Sequence, residues 1–203
     1  MKAADFFLAL VALPGRLKNR LLNVVFSKLR GVEVRIAWSD AKIIGSSRIE
    51  FGNRFFAGRG LWLETLGEGS KLVIGDNVNV SDWVHIAAIS DVSIGNGVLI
   101  GSKVIITDHN HGRYSGAVEH SSPHEPPNHR LLAGAPVRVG DRAFLGDNVV
   151  VLPGSVIGEG AIIGANSTVS GHIPPATMAF GNPARPVRRY DPATRRWVPL
   201  PPT

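Results

Sequence analysis

The sequence contains no cysteine. That removes disulfides, thiolate metal sites and a cysteine nucleophile, and it is compatible with a reducing compartment. Long hydrophobic runs are missing as well. The stretch FFLALVAL, Phe6 to Leu13, stops at Pro14 and is too short to span a bilayer. It has no strongly basic leader and no A-x-A-like cleavage site, so it does not read as a signal peptide. No G-x-S-x-G elbow occurs, which leaves a serine acyl-enzyme of that type without its nucleophile. Although the formal charge is +6, there is no nucleic-acid-binding motif and no basic stripe interleaved with aromatics, so nucleic acid is not an expected partner. At 203 residues the chain is long enough for one domain with a sizeable core.

The positive charge gathers at the two ends: Arg16, Lys18, Arg20, Lys28 and Arg30 in front, Arg185, Arg188, Arg189, Arg195 and Arg196 behind. Such a bias suits a phosphorylated ligand or an anionic surface. At the front, Leu17, Leu21, Val24, Val25 and Leu29 recur at helical spacing among the cations, which predicts an amphipathic helical segment within residues 1–31. That segment either packs on its own domain or rests on the cytoplasmic face of a membrane; periodicity leaves both open. The end of the chain, 186–203, is a basic, proline-rich tail, and the part after Tyr190 is expected to be extended or disordered.

Between the ends lies a repeat. VIGDNV, VSIGNG, VLIGSK, AFLGDN, SVIGEG and AIIGAN place an aliphatic residue, often followed by glycine, at every sixth position. The register runs Phe51, Ala57, Leu63; Ile74, Val80, Ile86; Ile94, Ile100, Ile106; Val139, Leu145, Val151; and Ile157, Ile163, Val169. Three repeats make one coil of three short strands. An inward aliphatic residue then stacks on its counterpart one coil away, and the small polar residues after it turn the chain. Glycine, asparagine and β-branched residues are too frequent for a helix. The expected fold is an all-β parallel β-helix of five to six coils, about 28 Å long at about 4.8 Å per coil, over residues 32–185.

Extra residues interrupt the register after Leu63, Ile86 and Ile106, always after the third strand of a group, so they emerge at one corner. The longest insertion, the loop at 107–136, begins with TDHNHG. Loops of this length are usually functional. Five of the seven histidines, His109, His111, His120, His124 and His129, lie within it. His109 falls where a rigid coil hands over to the loop, a position both held and open.

The hexapeptide repeat, the TDHNHG loop opening and IGANSTVSGHIPPATMAFGNPARPVR together resemble the left-handed β-helix acyltransferases. The likeness covers about residues 32 to 190 and is nearest to the galactoside and maltose acetyltransferase branch. It extends to the relatives that O-acetylate capsule, colanic acid or O-antigen sugars in polysaccharide biosynthesis. Left-handed winding is itself an implication of the resemblance, since crossovers are otherwise right-handed. The resemblance further implies a cytoplasmic homotrimer with active sites between subunits, acetyl-CoA as co-substrate and a sugar or glycan acceptor.

By the resemblance, His109 matches the family's general base, which takes the acceptor's hydroxyl proton as the oxygen attacks the thioester. Backbone N–H groups would stabilise the oxyanion, and with no cysteine available transfer is direct. Asp108 is a candidate helper that orients His109. Ser81 and Ile89 stand where galactoside-type enzymes carry acceptor-binding asparagine and aspartate, a departure that points to a different sugar. Asp82, His85 and His111 are candidate acceptor contacts. Phe144, Asp147, Ala165, Ser170, Arg185 and Arg188 match coenzyme-binding positions, the arginines near its phosphates.

Two other readings compete. His120, His124 and His129 form an H-x3-H-x4-H pattern that superficially matches zinc-binding γ-class carbonic anhydrases, enzymes of the same fold. These three lie in a proline-broken loop instead of on coil corners, so no metal ligand is assigned. A non-catalytic β-solenoid scaffold is the third reading.

Overall fold

In the computed structural model, which describes residues 15–201, the six-residue register becomes three parallel sheets, the faces of a triangular prism. Ile36, Ala57, Val80, Ile100, Leu145, Ile163 and Ala179 stack on the first face. Ile43, Leu63, Ile86, Ile106, Val151 and Val169 stack on the second. Phe51, Ile74, Ile94, Val139, Ile157 and Ile173 stack on the third. Seven rungs on the first face make a rod of about 29 Å at the usual strand spacing. All fifteen positions of the sequence register stand in these columns, and all are buried except Phe51 and Ala57, which are partly so.

The columns run one coil further toward the N-terminus than the six-residue spacing shows. Ile36, Ile43 and Phe51 are seven and eight residues apart, because short 3-10 turns at Trp38–Asp40 and Ser46–Arg48 occupy the corners. A second inward position lies two residues before each register residue, as at Val78, Val84, Val98, Val104 and Val149. Toward the C-terminal end serine also fills it. The Ser155 hydroxyl donates to the Val169 carbonyl at 3.0 Å, and Ser167 Oγ accepts the Gly181 N–H at 3.0 Å. These buried hydroxyls are therefore satisfied.

The corners between uninterrupted six-residue repeats follow one rule. Three residues after an inward position the chain adopts positive φ, as at Asn77 (58°), Lys103 (59°), Asn148 (58°) and Asn166 (60°). Asparagine tolerates that conformation best among residues with a Cβ, which is why GDN and GAN mark the turns. The N–H of each bonds the corner carbonyl of the coil before: Asn77 to Asn53, Lys103 to Asp82, Asn148 to Ser102, Asn166 to Asp147. Side chains add a second ladder. Asp76 accepts the Asn53 N–H, Asn96 that of Asp76, and Asp141 that of Asn96, each within 2.8 Å. The last bond is the main reason the Asp141 carboxyl sits below the usual carboxylate pKa.

Helix α1, Gly15–Arg30, closes the first coil. Asn19, Asn23 and Ser27, one turn apart, reach the open edge of strand Val34–Ile36. Asn19 Oδ1 accepts the Trp38 N–H (2.7 Å), Asn23 Oδ1 that of Ile36 (2.8 Å) and Ser27 Oγ that of Val34 (2.9 Å). Phe26 packs edge-on against Trp38 and Phe51. An exposed row of strand N–H and C=O groups is thereby covered. Phe6 to Leu13 lie outside the described residues.

At the other end, the segment expected to be extended or disordered is in strands as far as Pro199. Strand Thr177–Gly181 pairs antiparallel with Ala184–Asp191, which pairs with Arg196–Pro199. Tyr190 packs edge-on to Trp197 at 5.4 Å. Continuation of the first sheet supplies the hydrogen-bond partners that composition alone does not reveal.

The columns make a direct prediction. Ile100, fully buried in mid-rod, leaves a cavity when replaced by alanine. Ile100→Ala is expected to destabilise the fold by about 2–5 kcal/mol, read as a lower urea midpoint with an unchanged slope.

Candidate active site

Strand Ile105–Thr107 belongs to the second face, and the chain leaves the coil at Asp108. This carboxylate is completely buried, which is costly for an ionised group without partners. It has them. Oδ1 accepts the Ile89 N–H at 2.9 Å, while Oδ2 accepts those of Ser90 (2.8 Å) and Asp91 (2.9 Å). The three donors lie at the corner of the preceding coil, where the register carries its two extra residues between Ile86 and Ile94. The insertion thus builds a backbone nest for an anion.

Asp108 in turn meets His109. Oδ1 lies 3.1 Å from His109 Nδ1, and the imidazole is 11% exposed. A carboxylate accepts only, so the contact places the proton on Nδ1 and leaves the Nε2 lone pair free. Thr107 Oγ1 is 3.2 Å from the same nitrogen and also takes the His109 N–H at 3.3 Å. Backbone pairing fixes the residue further, since His109–His111 runs antiparallel to Leu132–Gly134. Gly134 faces His109 across that ladder, where a Cβ would come 3.0 Å from Ile89 and 3.2 Å from the Asp108 carbonyl. The Ala135 N–H donates to that carbonyl at 2.7 Å. Both ends of the long insertion are therefore pinned at Asp108.

Beyond this hairpin the loop runs outward. His111 is exposed, and its carbonyl accepts the Tyr114 hydroxyl. Arg130 donates to the Tyr114 oxygen (2.7 Å) and to the Glu125 carbonyl. His120 lies against the Gly116 carbonyl, and His129 ends the turn Pro127–His129. Among the described residues, no three histidine, aspartate or glutamate side chains gather as a metal site would need.

The remaining sequence candidates fall in three places. Ser81, Asp82, Asp147 and Ala165 sit on the corner between the first and second faces. There Asp82 Oδ1 accepts the Arg59 N–H and Asp147 Oδ1 that of Ser102, both at 2.7 Å, so each carboxylate also holds a turn. Ser170 shares the corner of His109, two rungs along through Val151 and Val169. Phe144 points outward from the first face, 39% exposed, beside Leu99. Arg185 and Arg188 lie on the terminal ribbon and form no ion pair among the described residues. His85 stands on the outer side of the second face, its ring stacked on Trp62 at 4.0 Å and Nε2 held 2.9 Å from Glu64 Oε1.

Thus Thr107, Asp108 and His109 come together, while the corner holding Ser81, Asp82, Asp147 and Ala165 lies across the width of the second face. Thr107, Trp62, Glu64 and the Ile89–Asp91 nest escaped the sequence reading. The two-residue insertion after Ile86 was the available signal for the nest; a register of inward residues carries none for outward Trp62 and Glu64.

The chain is 48% identical over 180 residues to a protein of Escherichia coli named as a lipopolysaccharide biosynthesis O-acetyl transferase, WbbJ, covering 89% of each chain. Residues 136–171 match the family described as bacterial transferase hexapeptide (six repeats). An N-acyltransferase of Bacillus cereus, crystallised with dTDP and 3-hydroxybutyryl-CoA, superposes with a TM-score of 0.58 at 18% identity. The match covers 79% of this chain and 82% of that one. A hexapeptide-repeat acetyltransferase of Vibrio cholerae complexed with acetyl-CoA gives 0.53 at 24% identity over 74% and 68%. These structural likenesses carry the left-handed β-helix expected from the sequence. With that fold and a near-full-length relative at 48% identity, the chain belongs to the hexapeptide-repeat acyltransferases and is an acetyltransferase of that family.

Proposed function

We propose that this enzyme moves an acetyl group from acetyl-CoA directly to a sugar hydroxyl in cell-surface polysaccharide biosynthesis, with His109 as general base. One observation carries the reading: a buried carboxylate, itself locked by three backbone N–H groups, points His109 Nδ1 inward and leaves Nε2 for the acceptor. Nε2 takes the hydroxyl proton while that oxygen attacks the thioester carbonyl. The imidazolium, steadied by Asp108, returns the proton to the departing sulfur. Acetyl-CoA supplies the activated acyl group. The residues present suit it: Arg185 and Arg188 are cations without carboxylate partners among the described residues, Phe144 offers an exposed ring, and Ala165 is a small residue at a corner. No cysteine is available for an acyl-enzyme.

The separation of His109 from the Ser81–Asp82 and Asp147–Ala165 corner supports a homotrimer. A neighbouring copy can lay its corner against the His109 corner and complete a cleft that one chain leaves divided. The 48% identical relative named for lipopolysaccharide biosynthesis supports a glycan acceptor.

His109→Ala is expected to lower kcat by roughly 10²–10⁴-fold with circular dichroism and oligomeric mass unchanged. The assay is acetyl-CoA consumption against a panel of sugar acceptors, and near-normal turnover by the variant would sink the assigned base. Asp108→Ala strips three N–H groups of their acceptor. It should lower stability by about 2 kcal/mol or more, seen in urea unfolding, and lower kcat more than it raises KM.

A further inference from the structure

Helix α1 is fastened by one face only. Its docked side presents Asn19, Asn23, Ser27 and Phe26 to the first coil. Around the rest of the helix Leu17, Val24, Val25 and Leu29 are 51%, 59%, 39% and 79% exposed. The sequence of the helix, GRLKNRLLNVVFSKLR, holds five cations and no acidic residue. Arg30 turns back to the Ser46 carbonyl at 2.7 Å. Arg16, Lys18, Arg20 and Lys28 form no ion pair among the described residues. Arg16 and Arg20 also line a groove beside the helix together with Arg35 of the first coil.

An exposed helix surface that mixes aliphatic side chains with unpaired cations, without one anion, is complementary to a negatively charged lipid surface. Its leucine and valine side chains enter the acyl boundary while lysine and arginine meet lipid phosphates. Among the described residues no helix is long and apolar enough to cross a bilayer. We infer that helix α1 docks the enzyme on an anionic membrane, which makes a lipid-carried saccharide the class of acceptor. The second part rests on the acetyl-transfer reading; the docking does not. The His109 corner lies three rungs from the first coil, through Ile43, Leu63, Ile86 and Ile106, or about 14 Å at the usual strand spacing. That places the base halfway along the rod, at a distance a glycan of a few sugars spans while its lipid end stays in the bilayer.

The test is sedimentation of the full-length protein with vesicles of phosphatidylcholine alone and of phosphatidylcholine with phosphatidylglycerol. Partition onto the anionic vesicles only, weakened by salt, is expected. Each surface cation is worth about fivefold in partition, so the triple variant Lys18→Gln, Arg20→Gln, Lys28→Gln should lose on the order of 100-fold while keeping its circular dichroism. Leu17→Ser combined with Val24→Ser and Leu29→Ser should also weaken binding, with the oligomeric mass unchanged. Absence of binding to either vesicle, equal binding to both, or a serine variant that alters oligomeric mass and not partition would each overturn the proposal. The last result would assign the apolar face to a second copy, and the first to cover by another part of the chain. Because sedimentation involves no catalysis, loss of the acetyl-transfer reading would leave this outcome readable.

Discussion

Hydrogen bonding between successive coils is the constraint on which the rest depends. Strands within the coils are two to five residues long, too short to satisfy their own backbone groups or to bury an apolar face alone. Each N–H and C=O instead finds its partner one coil above or below, and each inward aliphatic side chain rests on its equivalent in the next coil. Register is therefore enforced twice, by the ladder and by the columns. A slip of one residue would turn the inward residues outward, so the coils tolerate additions only at their corners.

That tolerance explains where the chemistry sits. Insertions leave the prism at the corner after the second face, and two of them cooperate. The two extra residues after Ile86 curl three N–H groups toward one point, and the long insertion after Ile106 begins by placing Asp108 there. A carboxylate buried in this way is oriented by the scaffold and not by a flexible loop. It transmits that rigidity to His109 through a contact of 3.1 Å. Preorganisation of this kind fixes the angle of the imidazole before any partner arrives.

The opposite corner shows the limits of assigning roles by position. Asp82 and Asp147 spend one carboxylate oxygen each on a turn of the preceding coil, as Asp76 does on another corner. A structural use is thus built into every such aspartate, and any contact with coenzyme or acceptor falls to the remaining oxygen. The terminal helix follows a similar economy. Its polar stripe serves the open strand edge, which needs hydrogen-bond partners more than it needs apolar cover.

Periodicity alone determined the architecture of the rod, the corner from which its loops leave and His109 as the residue at the junction. It could do so because one inward residue per strand is obligatory and short-range. Only the tertiary structure decided that Asp108 is buried and faces His109. Neighbours in sequence can point apart, and the N–H groups that capture Asp108 lie 17 to 19 residues away. Tertiary structure likewise decided which face of the N-terminal helix docks. Apolar spacing identifies an amphipathic helix, but the partner awaiting it was a row of unpaired backbone groups, and hydrogen-bonding side chains answered it.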